Sequence, residues 1–226
     1  MSEIVVVDRD KKIIREIDRW KVCQGRHIRE LAGFEGQRAC DRRLRKLIEA
    51  GYIKRERVLY GVAGIYRNTI RATRIVEGLP RGNRKIIVGQ IMHDIAVVDT
   101  AIVMAGEYGI ALERITTEIE LHRLDGFGMR KHRPDFVFTA DGGKKICVEV
   151  ELTLKAKNRL LDIIKSNFLA YDTQIWIAPN LNSKIARTLE KSKLEYPNIE
   201  ILELSHIQKS DHIQKNKETE SVSTWI

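Results

Sequence analysis

Three carboxylates and one lysine have the types and spacing for phosphodiester chemistry. Asp135 opens the apolar segment Phe136-Val137-Phe138, and Glu149 and Glu151 stand two residues apart in the segment KKICVEVELTLK. Side chains alternate along a strand, so Cys147, Glu149, Glu151 and Thr153 fall on one face, and Val148, Val150 and Leu152 on the other. With Asp135 on a neighbouring strand, Glu149 and Glu151 form a compact acidic cluster. Oxygen donors of this kind hold a divalent cation, Mg with Mn as its substitute. Lys155 follows just past the strand, where it can approach the same cluster. The competing reading puts Glu149 and Glu151 on a solvent-facing edge strand, paired with Lys157 or Arg159. Glu118, expected on the preceding strand, is either a further ligand or a surface residue.

A second group of residues suits a polyanion. Gln37, Arg38, Asp41, Arg42, Arg45 and Lys46 lie on the expected outer side of a helix over residues 37–50. Its expected inner side carries Ala39, Cys40, Leu44, Leu47 and Ile48. Gln37, Arg38 and Arg42, with Asp41, stand near its start and could reach base edges in a major groove. Arg43, Arg45, Lys46, Lys54, Arg55 and Arg57 suit phosphates, which position a protein without reading sequence.

The elements that must hold these residues can be read from periodicity and turn signals. Asp8 or Asp10 can cap a first helix bearing Ile13, Ile14, Ile17 and Trp20 at helical spacing. Residues 25–32 read as a short second helix with Ile28 and Leu31 inward, and Gly33 to Gly36 form a turn into the third. Gly51 stops the third helix. Residues 52–60 and 65–70 read as two strands around the Gly61-Val62-Ala63-Gly64 turn. Two helices joined by a short turn, the second rich in Arg, followed by a hairpin, make a winged helix-turn-helix.

The linker is placed at 79–85, rich in turn formers and cations, which bounds a first domain at 1–78. A second domain, 86–205, begins with an apolar helix over 85–108. Strands are expected at 112–122, 135–139 and 145–153, a basic helix at 155–170, a strand at 173–178, a helix at 183–193 and a last strand at 199–204. That order is α/β with a mixed central sheet. Residues 206–226 are polar and are expected to be a disordered tail, with Trp225 and Ile226 able to dock on a protein partner.

Composition narrows the setting. The 226 residues are 43% hydrophobic and 31% charged, enough apolar material for one or two cored domains. No run of about 18 apolar residues points to a membrane span, and the amino terminus lacks a secretion signal. Cys23, Cys40 and Cys147 are odd in number and far apart, as expected of reduced thiols in a cytoplasmic protein. The net charge of +9 is unevenly spread: residues 1–78 hold 19 Lys/Arg against 11 Asp/Glu, whereas residues 79–226 hold 21 against 20. A basic segment joined to a near-neutral body points to a polyanionic partner.

The stretch RRLRKLIEAGYIKRERV resembles the recognition helix and wing of bacterial winged-helix DNA-binding proteins. The pattern around Asp135 and Glu149 resembles the PD-(D/E)xK nuclease superfamily, in which these acids hold magnesium and orient an attacking water. Glu151 stands where that superfamily usually has Lys. Some of its restriction endonucleases carry Glu there, and in others the Lys has moved to an adjacent element, the place of Lys155. The whole order of pieces, with MHDIAVVDTAIVM, TEIEL, RPDFVF, VEVELTLK and YDTQIWIAP, resembles the replication-relaxation family of plasmids and conjugative elements.

That resemblance implies a winged helix on double-stranded DNA, joined to a restriction-endonuclease-like α/β domain. Three functions remain open on this basis. The chain is a DNA-binding module of a mobile element, a Mg-dependent endonuclease using Asp135, Glu149, Glu151 and Lys155, or a transcriptional regulator whose second domain makes a homodimer.

Overall fold

The computed structural model describes residues 4–79, 86–125 and 131–210. Packing divides the chain into two units, with the division between Val98 and Asp99. The expected linker, 79–85, lies outside the described residues except for Leu79.

In the first unit α1 spans Asp8–Arg19, α2 Gly25–Leu31 and α3 Gln37–Glu49. Helical spacing on α1 brings Ile13, Ile14, Ile17 and the adjoining Trp20 into the core, where all are buried. Ile28 and Leu31 of α2 and Cys40, Leu44 and Leu47 of α3 are buried as well. Ala39 and Ile48, expected inward, are exposed. Each lies about 100° around the helix from the seam made by Cys40, Leu44 and Leu47. Gly51, at φ 73°, ends α3. Its N–H donates to the Ile48 carbonyl at 2.8 Å, and the Tyr52 N–H donates to Leu47 at 2.9 Å. A residue with a Cβ would be strained at that φ.

The hairpin is β2 (Ile53–Glu56) and β3 (Ile65–Asn68), shorter than the sequence suggests. A two-residue strand, β1 (Cys23–Gln24), pairs antiparallel with β3 and completes a sheet in the order β1-β3-β2. Two residues carry no periodicity, so β1 has no signature in the sequence. The hairpin's loop is not a free projection throughout. Val58, Leu59 and Val62 pack against Val22, Ile65, Ile91 and Ile95, while Tyr60 stands fully exposed.

Helix α4 (Ile91–Glu107) contributes its residues from Asp99 onward to the second unit. The stretch Val88–Glu107 is long and apolar enough to cross a membrane by composition alone. Much of that apolar surface is interior instead, with Val98, Ala101, Ile102, Val103 and Met104 buried.

The expected strand over 112–122 is largely helix. A 3-10 turn (Leu112–Arg114) leads to a two-residue strand, β4 (Thr116–Thr117), and then to α5 (Glu118–Leu124). The cause is a capping box. Glu120 Oε2 accepts the Thr117 N–H at 2.9 Å, and Thr117 Oγ1 accepts the Glu120 N–H at 3.4 Å. Glu118 is therefore the first residue of a helix rather than part of a strand.

The remaining elements follow the expected order: β5 (Phe136–Thr139), β6 (Lys145–Val150), α6 (Lys157–Ala170), β7 (Thr173–Ala178), α7 (Lys184–Ser192), β8 (Ile199–Glu203) and α8 (Leu204–Lys209). The sheet runs β4-β5-β6-β7-β8. Its first three strands are antiparallel, and β6, β7 and β8 are parallel. Parallel neighbours need crossovers, which α6 and α7 supply.

Register sorts the two faces. Phe136, Val148 and Ile175 are cross-strand neighbours on one face, and Cys147 with Gln174 and Glu149 with Trp176 on the other. The first face meets Tyr108, whose ring lies edge-on to Phe138 at 5.0 Å. The second is roofed by Leu160, Ile163 and Ile164 of α6 and by Ile185, Ala186 and Leu189 of α7, all packed with Trp176. At the expected tail, Ile207 of α8 is buried. Residues 211–226, with Trp225 and Ile226, lie outside the described residues.

One polar pair joins α1 to α3. The Asp10 carboxylate is wholly buried; it accepts the Val7 N–H at 2.8 Å and an ion pair from Arg43. Asp10→Ala leaves the guanidinium and that amide without their partner, and a broken buried pair costs about 3 kcal/mol. Urea unfolding is expected to show that loss as a lower midpoint. An unchanged midpoint would show that the pair does not hold the helices together.

Candidate functional site

Two places assemble the residues singled out by the sequence, one in each unit. On α3, Arg38, Arg42, Arg45 and Lys46 are exposed and carry no ion pair among the described residues. They follow one another at intervals of four, three and one, so they form a stripe on the side of the helix away from Cys40, Leu44 and Leu47. At 1.5 Å per residue the stripe is about 12 Å long.

Several neighbours expected to join it are engaged elsewhere. Arg43 is committed to Asp10 and also donates to the Val5 carbonyl at 2.9 Å, so it braces the fold rather than facing a phosphate. Gln37 donates to Asp41 at 2.9 Å, which ties both residues along the helix. Lys54 is ion-paired with Glu56, which also takes Arg67 at 3.3 Å. These two cations hold the Glu56 carboxyl below its ordinary range.

Arg55 and Arg57 on the hairpin are exposed. The Arg55 side chain folds across β3, its guanidinium 5.9 Å from the Tyr66 ring. Gly64 leaves it room, because a Cβ there would meet Arg55 Nε at 2.7 Å.

In the second unit, β6 lies at the centre of the sheet, and both Glu149 and Glu151 are only 3% exposed. That removes the reading in which they are solvent-facing residues of an edge strand. Asp135 immediately precedes β5, and its Oδ2 accepts the Val150 N–H at 2.7 Å. Lys155 reaches back to an ion pair with Glu151, as its position past the strand suggests.

Glu149 has partners that the sequence does not reveal. Its Oε1 is 2.7 Å from His132 Nε2 and accepts from Asn167 Nδ2 of α6 at 2.9 Å. Burial pushes the Glu149 carboxyl above its ordinary value of 4.5; the His132 hydrogen bond opposes this and the Asp135 charge adds to it. His132 could have been suspected from its place three residues before Asp135. Asn167 lies eighteen residues from Glu149, and nothing in the local pattern marks it.

The carboxylates are thus close in the fold but individually occupied. Among the described residues no three His, Cys, Asp or Glu side chains come together to hold a metal ion. The donor type of Asp135, Glu149 and Glu151 suits a hard cation. Their arrangement does not present three free donors at one point. Instead, His132 lines a cleft of about 640 Å³ with Glu118, His122, Lys131, Arg133 and Arg159. A buried carboxylate holding an imidazole at such a cleft is an arrangement that can move a proton. Arg133 in turn is held by Asp125 at 2.8 Å.

The three cysteines are free and buried. Burial pushes the Cys40 thiol up to about 12 and raises those of Cys23 and Cys147 as well. None is poised as a thiolate nucleophile.

Glu149 provides a pH test. With its pKa raised in the folded state, the folded protein takes up this proton before the unfolded chain does as pH falls. Ionised Glu149 therefore costs stability at neutral pH. That cost declines as pH drops through the folded-state pKa and is gone below the ordinary value of 4.5. Glu149→Gln keeps an acceptor for Asn167 and is expected to melt higher than the wild type at pH 7, with the two converging near pH 4.5. A variant that melts lower at pH 7 would show that the His132 interaction outweighs the burial cost. Compared with protein-family models, curated proteins and solved structures, the chain matches none.

Proposed function

We propose that the protein binds double-stranded DNA through α3 and the hairpin, as a binding module of a mobile element. The observation that carries this reading is the unpaired stripe of Arg38, Arg42, Arg45 and Lys46, set opposite the buried seam of the same helix. Four adjacent like charges without carboxylate partners repel one another, and bound phosphates turn that repulsion into attraction by releasing counterions. The succession of α2, a short turn and α3 supports a helix-turn-helix reading, in which the second helix enters the major groove. Arg38 and Arg42, nearest the start of α3, take the base edges, while Arg45, Lys46, Arg55 and Arg57 take phosphates. The likeness in motif order to the replication-relaxation family supports the mobile-element setting, and three buried free cysteines suit an intracellular protein.

A second reading, a Mg-dependent endonuclease, is favoured by one observation. The order and pairing of β5 and β6 bring Asp135 beside Glu149, with Lys155 on Glu151. Any cation held there competes with Lys155 for Glu151 and with His132 for Glu149. Asp135→Asn distinguishes the two readings. If the site takes metal, magnesium or manganese raises the melting temperature of the wild type and not of this variant, and supercoiled plasmid is cut by the wild type alone. Intact plasmid with no metal-dependent shift leaves the binding module.

For the leading reading, Arg42→Glu with Lys46→Glu is expected to weaken duplex binding by at least about tenfold at moderate salt. The log–log salt dependence should flatten by about 0.9 for each phosphate no longer neutralised. Arg38→Ala is expected to relax sequence preference, and Arg55→Ala to weaken all sequences about equally. Fluorescence anisotropy across a salt series checks all three. An unaltered affinity in the double variant would remove α3 as the DNA-reading element.

A further inference from the structure

We infer that the second unit carries its own nucleic-acid surface, a basic cleft between α6 and α7 that tracks the backbone of one strand. The ligand's identity rests on the DNA reading above, but the surface is separate from α3.

The cleft, about 350 Å³, has Leu154 and Leu160 among its walls and is otherwise lined mainly by cations: Lys155, Lys157, Lys184, Arg187 and Lys191, with no carboxylate. Only Lys155 is neutralised, by Glu151. Lys157, Lys184 and Lys191 are without an ion pair among the described residues. Arg187 donates to the Asn182 carbonyl at 2.9 Å, which orients it without cancelling its charge.

The two helices hold one acid each, and both are used elsewhere. Glu190 takes Lys193 at 2.7 Å, and Asp162 lines the other cleft. Four uncompensated cations around a small concavity repel one another and raise the local concentration of anions.

The layout favours a strand over a point ligand. Lys184, Arg187 and Lys191 recur at intervals of three and four along α7, a line about 10 Å long. Successive phosphates of a strand lie about twice as far apart along the backbone as the roughly 3.4 Å rise per nucleotide, so that line faces about two of them. Lys157 at the start of α6 widens the track, and Leu154, more than half exposed, offers an apolar surface to a sugar or base. Residues 79–226 are almost neutral as a whole, so this concentration of charge does not appear in the composition.

The experiment uses the full chain with Lys157, Lys184 and Lys191 all replaced by Gln, compared with the wild type and the Arg42→Glu/Lys46→Glu protein. Anisotropy with labelled duplex and single-stranded oligonucleotides is measured across a salt series. Lysine acetylation, read by mass spectrometry, is measured with and without oligonucleotide. The triple variant is expected to keep its circular dichroism and melting temperature, and to flatten the log–log salt slope by about two, at 0.7–0.9 per phosphate. In the wild type the oligonucleotide should slow acetylation of Lys157, Lys184 and Lys191 severalfold and leave Lys193 unchanged.

An unchanged slope with unprotected cleft lysines overturns the proposal and leaves the α3 reading standing. Undiminished binding in the α3 variant, with the cleft lysines still protected, removes the α3 reading and keeps the cleft. Equal protection by inorganic pyrophosphate, with no dependence on oligonucleotide length, also overturns the strand reading and makes the cleft a small-polyphosphate site.

Discussion

A carboxylate on a strand buried on both faces must find a partner, and the second unit is organised by that requirement. β6 runs through the middle of the five-stranded sheet, with Val148 packed on one face and Glu149 beneath α6 on the other. Leaving such a charge unpaired in a low-dielectric interior costs several kcal/mol, at least about 3. Asn167 of α6 and His132 ahead of β5 meet the requirement for Glu149, and Lys155 meets it for Glu151 just past the strand. α6 thus does two jobs: its apolar side roofs the sheet, and its Asn167 fixes the orientation of Glu149. The segment ahead of β5 does two as well, carrying His132 to Glu149 and Asp135 to the backbone of β6.

The first unit solves the same problem on a smaller scale. A buried Asp10 takes up Arg43 from the middle of the candidate recognition helix. One arginine of the cationic helix is thereby drawn inward to hold the helices together, and the remaining four cations are left outward. Bracing the fold and presenting unpaired charge are divided residue by residue along one helix. Arg43 and Arg42 are chemically identical neighbours, and a rotation of about 100° gives them different tasks.

Charge in this protein is sorted by partner rather than by count. Lys54, Arg67, Lys193 and Lys155 are matched to carboxylates. The stripe on α3 and most of the cleft between α6 and α7 are unmatched. Unmatched cations gathered on a helix face or in a concavity make the local fields that attract polyanions, and net charge per domain averages those fields away.

Elements with local signals could be read from the residues alone. The 3.6-residue spacing of Ile13, Ile14 and Ile17, the stop at Gly51 and the continuous apolar run of β7 are each legible within a few residues. The order of elements from β5 onward was legible too, as was the approach of Lys155 to the acidic cluster, although its pairing with Glu151 in particular was not. Local reading failed where a short capping signal competed with an apolar stretch, so that Thr117 and Glu120 turned an expected strand into α5. Packing alone settled which carboxylates are buried, because burial depends on whether a strand is central or at an edge, and alternation is the same in both. It also settled that Arg43 belongs to Asp10 and that Asn167 belongs to Glu149, since these bonds join residues 33 and 18 positions apart. Periodicity specifies the face on which a side chain emerges, and only the packed chain specifies what it meets there.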